Sequence, residues 1–319
     1  MTLKNKSMHE NYSLKNIRAI IQTFVCPTCG GKLFFHDSAF ICACSKRYPI
    51  KNDIVLLNKK ISRDDVKLSL RSWNKLYRKQ NKINISYQEA LQNSYIQAYL
   101  HFVKKHMIND YFIDIGAGSG MMALVVNKLY KKNPILIDFS LDALFEAKEN
   151  FKSNKANGIF VCADITQNIF KKNSNQFFFS AMSLEYFKNL EEVFDHLHTA
   201  LVKRGRLVFI IPKISLSTLT YHQLKSGDIP HVFGLKHLYE FIHLKILRGR
   251  YLKTGYNLSY TISRIKKMVT KSGFKIIYAG NLIMDYQFNS ISNQMIKSLF
   301  KYIVKFSLFN PLMVFVIEK

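Results

Sequence analysis

The chain has 319 residues, and a hydrophobic content of 48% is enough for a buried core, so disorder is excluded as its default state. A formal net charge of +26, from 47 Lys+Arg against 21 Asp+Glu, favours anionic partners: nucleic acid, phosphorylated substrates or an anionic membrane. The first residues lack the apolar core of a signal peptide, and the most apolar window, Leu299 to Ile317, is broken by Lys301, Lys305, Asn310 and Pro311. A cytoplasmic protein without a transmembrane segment, capable of peripheral contact with an anionic membrane, is therefore expected, with its cysteines as metal ligands or core residues rather than disulfides.

Residues 1–24 are basic and mildly amphipathic, which predicts a short helix (Leu14, Ile17, Ile20, Ile21, Phe24). Two cysteine pairs follow, Cys26-Pro-Thr-Cys29-Gly-Gly and Cys42-Ala-Cys44, each on a tight turn and about a dozen residues apart. Four thiolates so placed can surround Zn²⁺ tetrahedrally, leaving no open position for catalysis, so the expected zinc is structural. Residues 25–58, with Tyr48-Pro49-Ile50 and Ile54-Val-Leu-Leu57, resemble the small zinc-ribbon domain fused ahead of many bacterial methyltransferases. Residues 59–110 read as helical: Leu68, Leu70, Trp73, Leu76 and Tyr77, then Tyr87, Ala90, Leu91, Tyr95, Ala98, Tyr99 and Phe102, recur at helical spacing. That spacing by itself points to packing, within a helical cap or linker.

The chemistry starts at Tyr111-Phe-Ile-Asp-Ile-Gly-Ala-Gly-Ser-Gly120 followed by an apolar helix-like run, read as strand, tight turn and helix. A dinucleotide fingerprint would put Gly or Ala at 121, where Met stands. Asp114, two residues before Gly116, would repel a pyrophosphate but suits a cationic, amino-acid-like ligand. Asp138 ends the next strand (Pro134–Ser140), about twenty residues beyond the turn, where a carboxylate can take both hydroxyls of a ribose. Strands over 158–165, with another acid, Asp164, at its end, over 176–187 and over 206–212 alternate with helices over 141–151 and 190–201. This alternation predicts a doubly wound parallel sheet. Cys162 reads as a buried structural thiol.

These segments resemble class I S-adenosylmethionine-dependent methyltransferases, tightly over 111–212 and loosely over 258–319. The resemblance implies an α/β fold: a seven-stranded, doubly wound Rossmann-like sheet carrying a small N-terminal zinc-ribbon-like domain. It implies S-adenosylmethionine bound by Asp114, Gly116, Ala117, Gly118 and Gly120 at the methionine moiety. Asp138 with Phe139 would take the ribose, and Asp164 with Ile165 the adenine. Ser180, Leu184 and Glu185 match the family's fourth-strand segment, but Gln176 replaces its usual Asp and Tyr186 its usual His, a frequent general base. Glu185, Tyr186 and, in a Gly/Pro-punctuated loop, His231 are the catalytic candidates.

Within the methyltransferase domain (111–319), residues 213–257 and 282–310 read as substrate-lid insertions. The second contains a basic amphipathic stretch over 289–306, with Ile291, Met295, Ile296, Leu299, Phe300, Ile303 and Phe306 on one face and Lys297, Lys301 and Lys305 as a stripe. Core-facing packing is the expected use of such a face; lying on an anionic membrane or gripping a lipid- or phosphate-linked substrate is the other. Methylation of a small, lipid- or phosphate-linked metabolite is the leading expectation. RNA methylation, docked by the basic surface and the ribbon, is the alternative. A cofactor-binding scaffold without catalysis is disfavoured because all three cofactor acids are present.

Overall fold

The computed structural model describes residues 16–58, 70–71, 73–75, 77, 84–107, 111–187, 189–213, 260–282, 293–303, 306, 310 and 312–319. His231 and most of the 213–257 insertion lie outside the described residues, as do 1–15, 59–69 and the part of the second insertion from 283 to 292.

A 3₁₀ turn (Ile20–Thr23) leads into four short strands, β1 (Leu33–His36), β2 (Ala39–Cys42), β3 (Arg47–Lys51) and β4 (Ile54–Leu56). Helices α1 (Tyr87–Gln92) and α2 (Ser94–His106) precede the alternating unit β5 (Tyr111–Ile115), α3 (Met121–Tyr130), β6 (Asn133–Asp138), α4 (Leu141–Ser153) and β7 (Ile159–Cys162). Then come β8 (Asn175–Ala181), α5 (Leu190–Ala200), β9 (Leu201–Pro212), α6 (Ile262–Lys271), β10 (Lys275–Asn281), α7 (Gln294–Ile303) and β11 (Leu312–Glu318). The strands form one sheet in the order β1-β2-β3-β4-β7-β6-β5-β8-β9-β11-β10. Its last seven form the expected seven-stranded doubly wound sheet: β7-β6-β5-β8-β9 are parallel, and β11 inserts antiparallel between β9 and β10.

Strand alternation divides the apolar side chains between two faces. Phe112, Leu136, Phe160, Phe177 and Phe179 pack beneath α1 to α4, while Ile113, Ile115, Ile137, Phe178 and Phe209 pack beneath α5, α6 and the cysteine-bearing strands. The chain reversal between β5 and β8 opens a switch point at the strands' carboxyl ends, where ligands bind in folds of this kind.

Polar side chains set where strands end. β7 stops at Cys162, short of the expected 165, because Asp164 accepts bonds from the Thr166 amide (3.0 Å) and hydroxyl (2.7 Å) and curls the chain away. β8 ends at Ala181, before the expected 187: Met182 adopts φ 54° and a 3₁₀ turn follows at Leu184–Tyr186. β9 begins at Leu201, ahead of the expected Arg206, since Leu201 already pairs with Asn175 before a bulge restores register at Arg206.

The four small strands are not a free-standing hairpin stack. β4 pairs parallel with β7 (Ile54↔Phe160, Val55↔Val161, Leu56↔Cys162) and extends the sheet, a contact between remote segments that no local pattern announces. Helix α7 begins at Gln294, with the Asn293 side chain accepting from the Met295 amide. Its Met295, Leu299 and Tyr302 are exposed, against the core-facing expectation for this stretch. Ile303, on the same helix, is half-buried.

Candidate functional site

The turn Gly116–Gly120 is shaped by backbone that only glycine tolerates at low cost. Gly116 has φ 69°, and a Cβ there would overlap the Cβ of Ser183. Gly118 has φ 54°, and a Cβ would meet the Tyr77 hydroxyl at 2.7 Å. The Gly118 amide donates to Asp138 Oδ2 (2.9 Å) and the Ser140 amide to Asp138 Oδ1 (2.8 Å), so β6's last carboxylate knits the turn to the start of α4. The Ser140 hydroxyl in turn donates to Asn74 Oδ1 (2.7 Å).

Three of the predicted acids converge on this edge, each at the end of its strand: Asp114 (3% exposed), Asp138 (7%) and Asp164 (3%). Burial, with repulsion from Asp138 second, pushes the Asp114 carboxyl up from 3.8 to about 8. Burial also raises Asp138 to about 6, its backbone donors at Ser140, Gly118 and Phe139 opposing the shift. Two buried carboxyls that resist ionising together make a site in which a bound cation is favoured, and this fits the sulfonium and ammonium groups of S-adenosylmethionine. A narrow cleft beside Asp138 is lined by Gly116, Phe139, Ala163, Ile165, Ser183 and Phe187. Ala117 joins the turn through its amide on the Ile137 carbonyl (3.1 Å). A larger cavity of about 420 Å³, lined among others by Tyr111, Lys171, Gln176 and Phe177, lies at the opposite, amino-terminal edge, remote from the acids.

Ser180 is fully buried, and its hydroxyl donates to the Ile115 carbonyl (3.0 Å) and bonds Ser183 Oγ (2.7 Å), locking β8 to the end of β5. Glu185 is also fully buried. Its charge reaches two tyrosines: Tyr99, pushed well above the usual range by burial, Tyr95 and Glu185, and Tyr260, raised to about 12 by burial, with Arg264 opposing and Glu185 adding. Tyr186 is half-buried and meets the Trp73 ring edge-on at 5.4 Å. Trp73, Asn74 and Tyr77 thus stand over the glycine turn and beside Tyr186. Their helical spacing was legible, but nothing in it distinguished this post from ordinary packing. Cys162 is raised to about 12 by burial and by Asp138, as befits an inert core thiol.

The cysteine pairs come together as well. Cys26 Sγ lies 3.6 Å from Cys44 Sγ and Cys29 Sγ 3.5 Å from Cys42 Sγ, and all four sulfurs lie within 4.8 Å of one another. Tetrahedral Zn–S bonds of about 2.3 Å require sulfurs roughly 3.8 Å apart, so the cluster is compatible with one zinc ion.

Residues 113–209 match the family model described as a methyltransferase domain. No curated protein matches the sequence. Among solved structures, the chain is similar to the complex between the Haloferax volcanii Trm112 methyltransferase activator and the putative methyltransferase (9% identity, 78% of this chain and 95% of that one, TM-score 0.52). It is also similar to Haemonchus contortus phosphoethanolamine N-methyltransferase 2 in complex with S-adenosyl-L-methionine (16%, 77% and 60%, TM-score 0.51). A third is the cyclopropane synthase MmaA2 from Mycobacterium tuberculosis (14%, 82% and 100%, TM-score 0.50). At such identities these structures speak for the fold. The family match covers the glycine turn and all three acids, so residues 113–209 form a methyltransferase domain, on a fold that the chain shares with S-adenosylmethionine-dependent methyltransferases.

Proposed function

We propose that this methyltransferase acts on a small, lipid-linked acceptor that it meets at an anionic membrane surface. The observation that carries the reading is helix α7, where Met295, Leu299 and Tyr302 are 84%, 56% and 60% exposed at i, i+4 and i+7. Phe306, also exposed, continues the patch, its ring edge-on to Tyr302 at 5.4 Å. No Asp or Glu occurs between Asp285 and Glu318, whereas Lys297, Lys301 and Lys305 do. An apolar strip with Lys297 and Lys301 on the same short helix suits the boundary between headgroups and acyl chains. No helix among the described residues is long and apolar enough to cross a membrane.

At the site we assign Asp114 and the turn Gly116–Gly120 to the methionine end of the donor. Asp138 with Phe139 takes the ribose, and Asp164 with Ile165 the adenine. S-adenosylmethionine supplies an electrophilic methyl group on a sulfonium. The chain's own task is alignment: the acceptor atom must lie in line with the S–CH₃ bond and, where it carries a proton, lose it. Ser180 holds the end of β5 in register with β8 and so positions Asp114. Glu185, with Tyr99 and Tyr260 in its field, and Tyr186 border the acceptor side. Glu185 is the group we assign to proton removal, and Tyr186 with Trp73 orients the acceptor.

Transfer of labelled methyl from S-adenosylmethionine into a cell extract, followed by fractionation, tests the reading. Counts extractable into organic solvent are expected. Nuclease-sensitive counts in the macromolecular fraction would overturn it in favour of RNA, the reading that the net charge of +26 supports.

A further inference from the structure

We propose that the four-cysteine ribbon is a built-in subunit of the methyl-donor site, so that filling it with a divalent metal sets the affinity for S-adenosylmethionine; this rests on the assignment of Asp164 and Ile165 to the adenine. The segment that carries these two residues is gripped by the ribbon at both ends. On the strand side, the Leu57 amide donates to the Cys162 carbonyl (2.9 Å) and the Asn58 side-chain amide to Cys162 Sγ (3.1 Å), continuing the pairing of β4 with β7. On the far side, the Val25 amide donates to the Ile169 carbonyl (2.8 Å) and the Lys171 amide to the Thr23 carbonyl (2.9 Å). Phe24 stacks on Phe170 with centroids 5.7 Å apart. Cys26, a metal ligand by geometry, is the residue next to Val25.

The apolar contacts tell the same story. Cys26, Cys42, Tyr48, Val55 and Leu57 share one buried cluster with Ile137, Ala163, Ile165 and Phe187, which line the donor cleft. The ribbon is too short to bury a core of its own, and a metal is the usual remedy in units of this size. Apart from a metal, its two cysteine knuckles are joined by the β1–β2 ladder, which pairs Leu33 with Cys42, and by Tyr48, whose hydroxyl meets Cys26 Sγ and Thr28 Oγ1, each at 3.1 Å. Losing the metal therefore loosens the Cys26 knuckle, frees the edge of β7 and slackens the loop from Ala163 to Phe170.

The test uses the full chain, loaded with zinc and then stripped by a chelator, with S-adenosylmethionine binding followed by calorimetry. Stripping is expected to weaken binding about 5- to 150-fold, with recovery on adding zinc back, and bound S-adenosylmethionine should tighten the equilibrium affinity for zinc by the same factor, because coupling is reciprocal. Amide exchange across 159–170 should quicken on stripping. Equal affinity in loaded and stripped protein, with unchanged exchange there, would overturn the proposal. A loaded protein that binds no S-adenosylmethionine would take the donor-site reading down with it, which is a separate and recognisable failure. Because a stripped chain can unfold altogether, Phe24→Ala is the second arm: it keeps all four cysteines and removes the ring on Phe170. With zinc content intact, about 2- to 30-fold weaker binding is expected; wild-type affinity there would also overturn the coupling.

Discussion

Asp114 is raised to about 8 and Asp138 to about 6, so in the ligand-free protein both acids hold protons to a higher pH than in the unfolded chain. Each contribution to stability is fully present below the ordinary carboxyl range near 3.8 and is lost as pH rises through the folded-state values, up to about 8 for Asp114. A cationic donor favours the ionised forms, so its binding should tighten between about pH 6 and pH 8 with release of protons, which calorimetry in buffers of different ionisation enthalpy would register. In Asp114→Asn the upper part of that rise should vanish. Gly116→Ala should cost about 1–3 kcal/mol through its φ of 69°, before the overlap with Ser183 is counted, and should weaken donor binding together with thermal stability. The acids and glycines were legible because each follows a strand at fixed spacing. Ser183 and Tyr77, which close on the turn, were not, since Ser183 reaches it from the turn after β8 and Tyr77 from ahead of β5, both far away along the chain.

At the level of elements, the alternating strands and helices from β5 to β9 follow the hydrophobic periods closely, and the deviations occur where a polar side chain captures backbone, as Asp164 does at the end of β7. Helix α7 shows the limit of such patterns: period alone does not tell a face that packs from a face that waits for a partner. Leu299→Glu and Tyr302→Glu alter exposed positions, so unfolding temperature should stay nearly unchanged. The same variants should lose most of the chain's co-sedimentation with vesicles containing anionic phospholipid. Retention of wild-type co-sedimentation would remove α7 from the membrane reading.

For the molecule as a whole, the charge of +26 acts at long range and the donor site at short range, and salt separates them. Raising ionic strength from about 0.05 to 0.5 M should weaken vesicle association steeply, while S-adenosylmethionine affinity changes little, because Asp114, Asp138 and Asp164 are buried. The sequence by itself determined the sheet, the glycine turn, the three strand-end acids and the four candidate thiols, because local spacing and strand periodicity encode them. Tertiary structure alone decided that β4 completes the edge of β7, that Trp73 and Tyr77 overhang the turn, and that the thiols and the donor cleft share one core. Those contacts join remote segments, some of them more than a hundred residues apart, as Asn58 and Cys162 are, and such a pairing is fixed by which surfaces exclude water together rather than by any short run of residues.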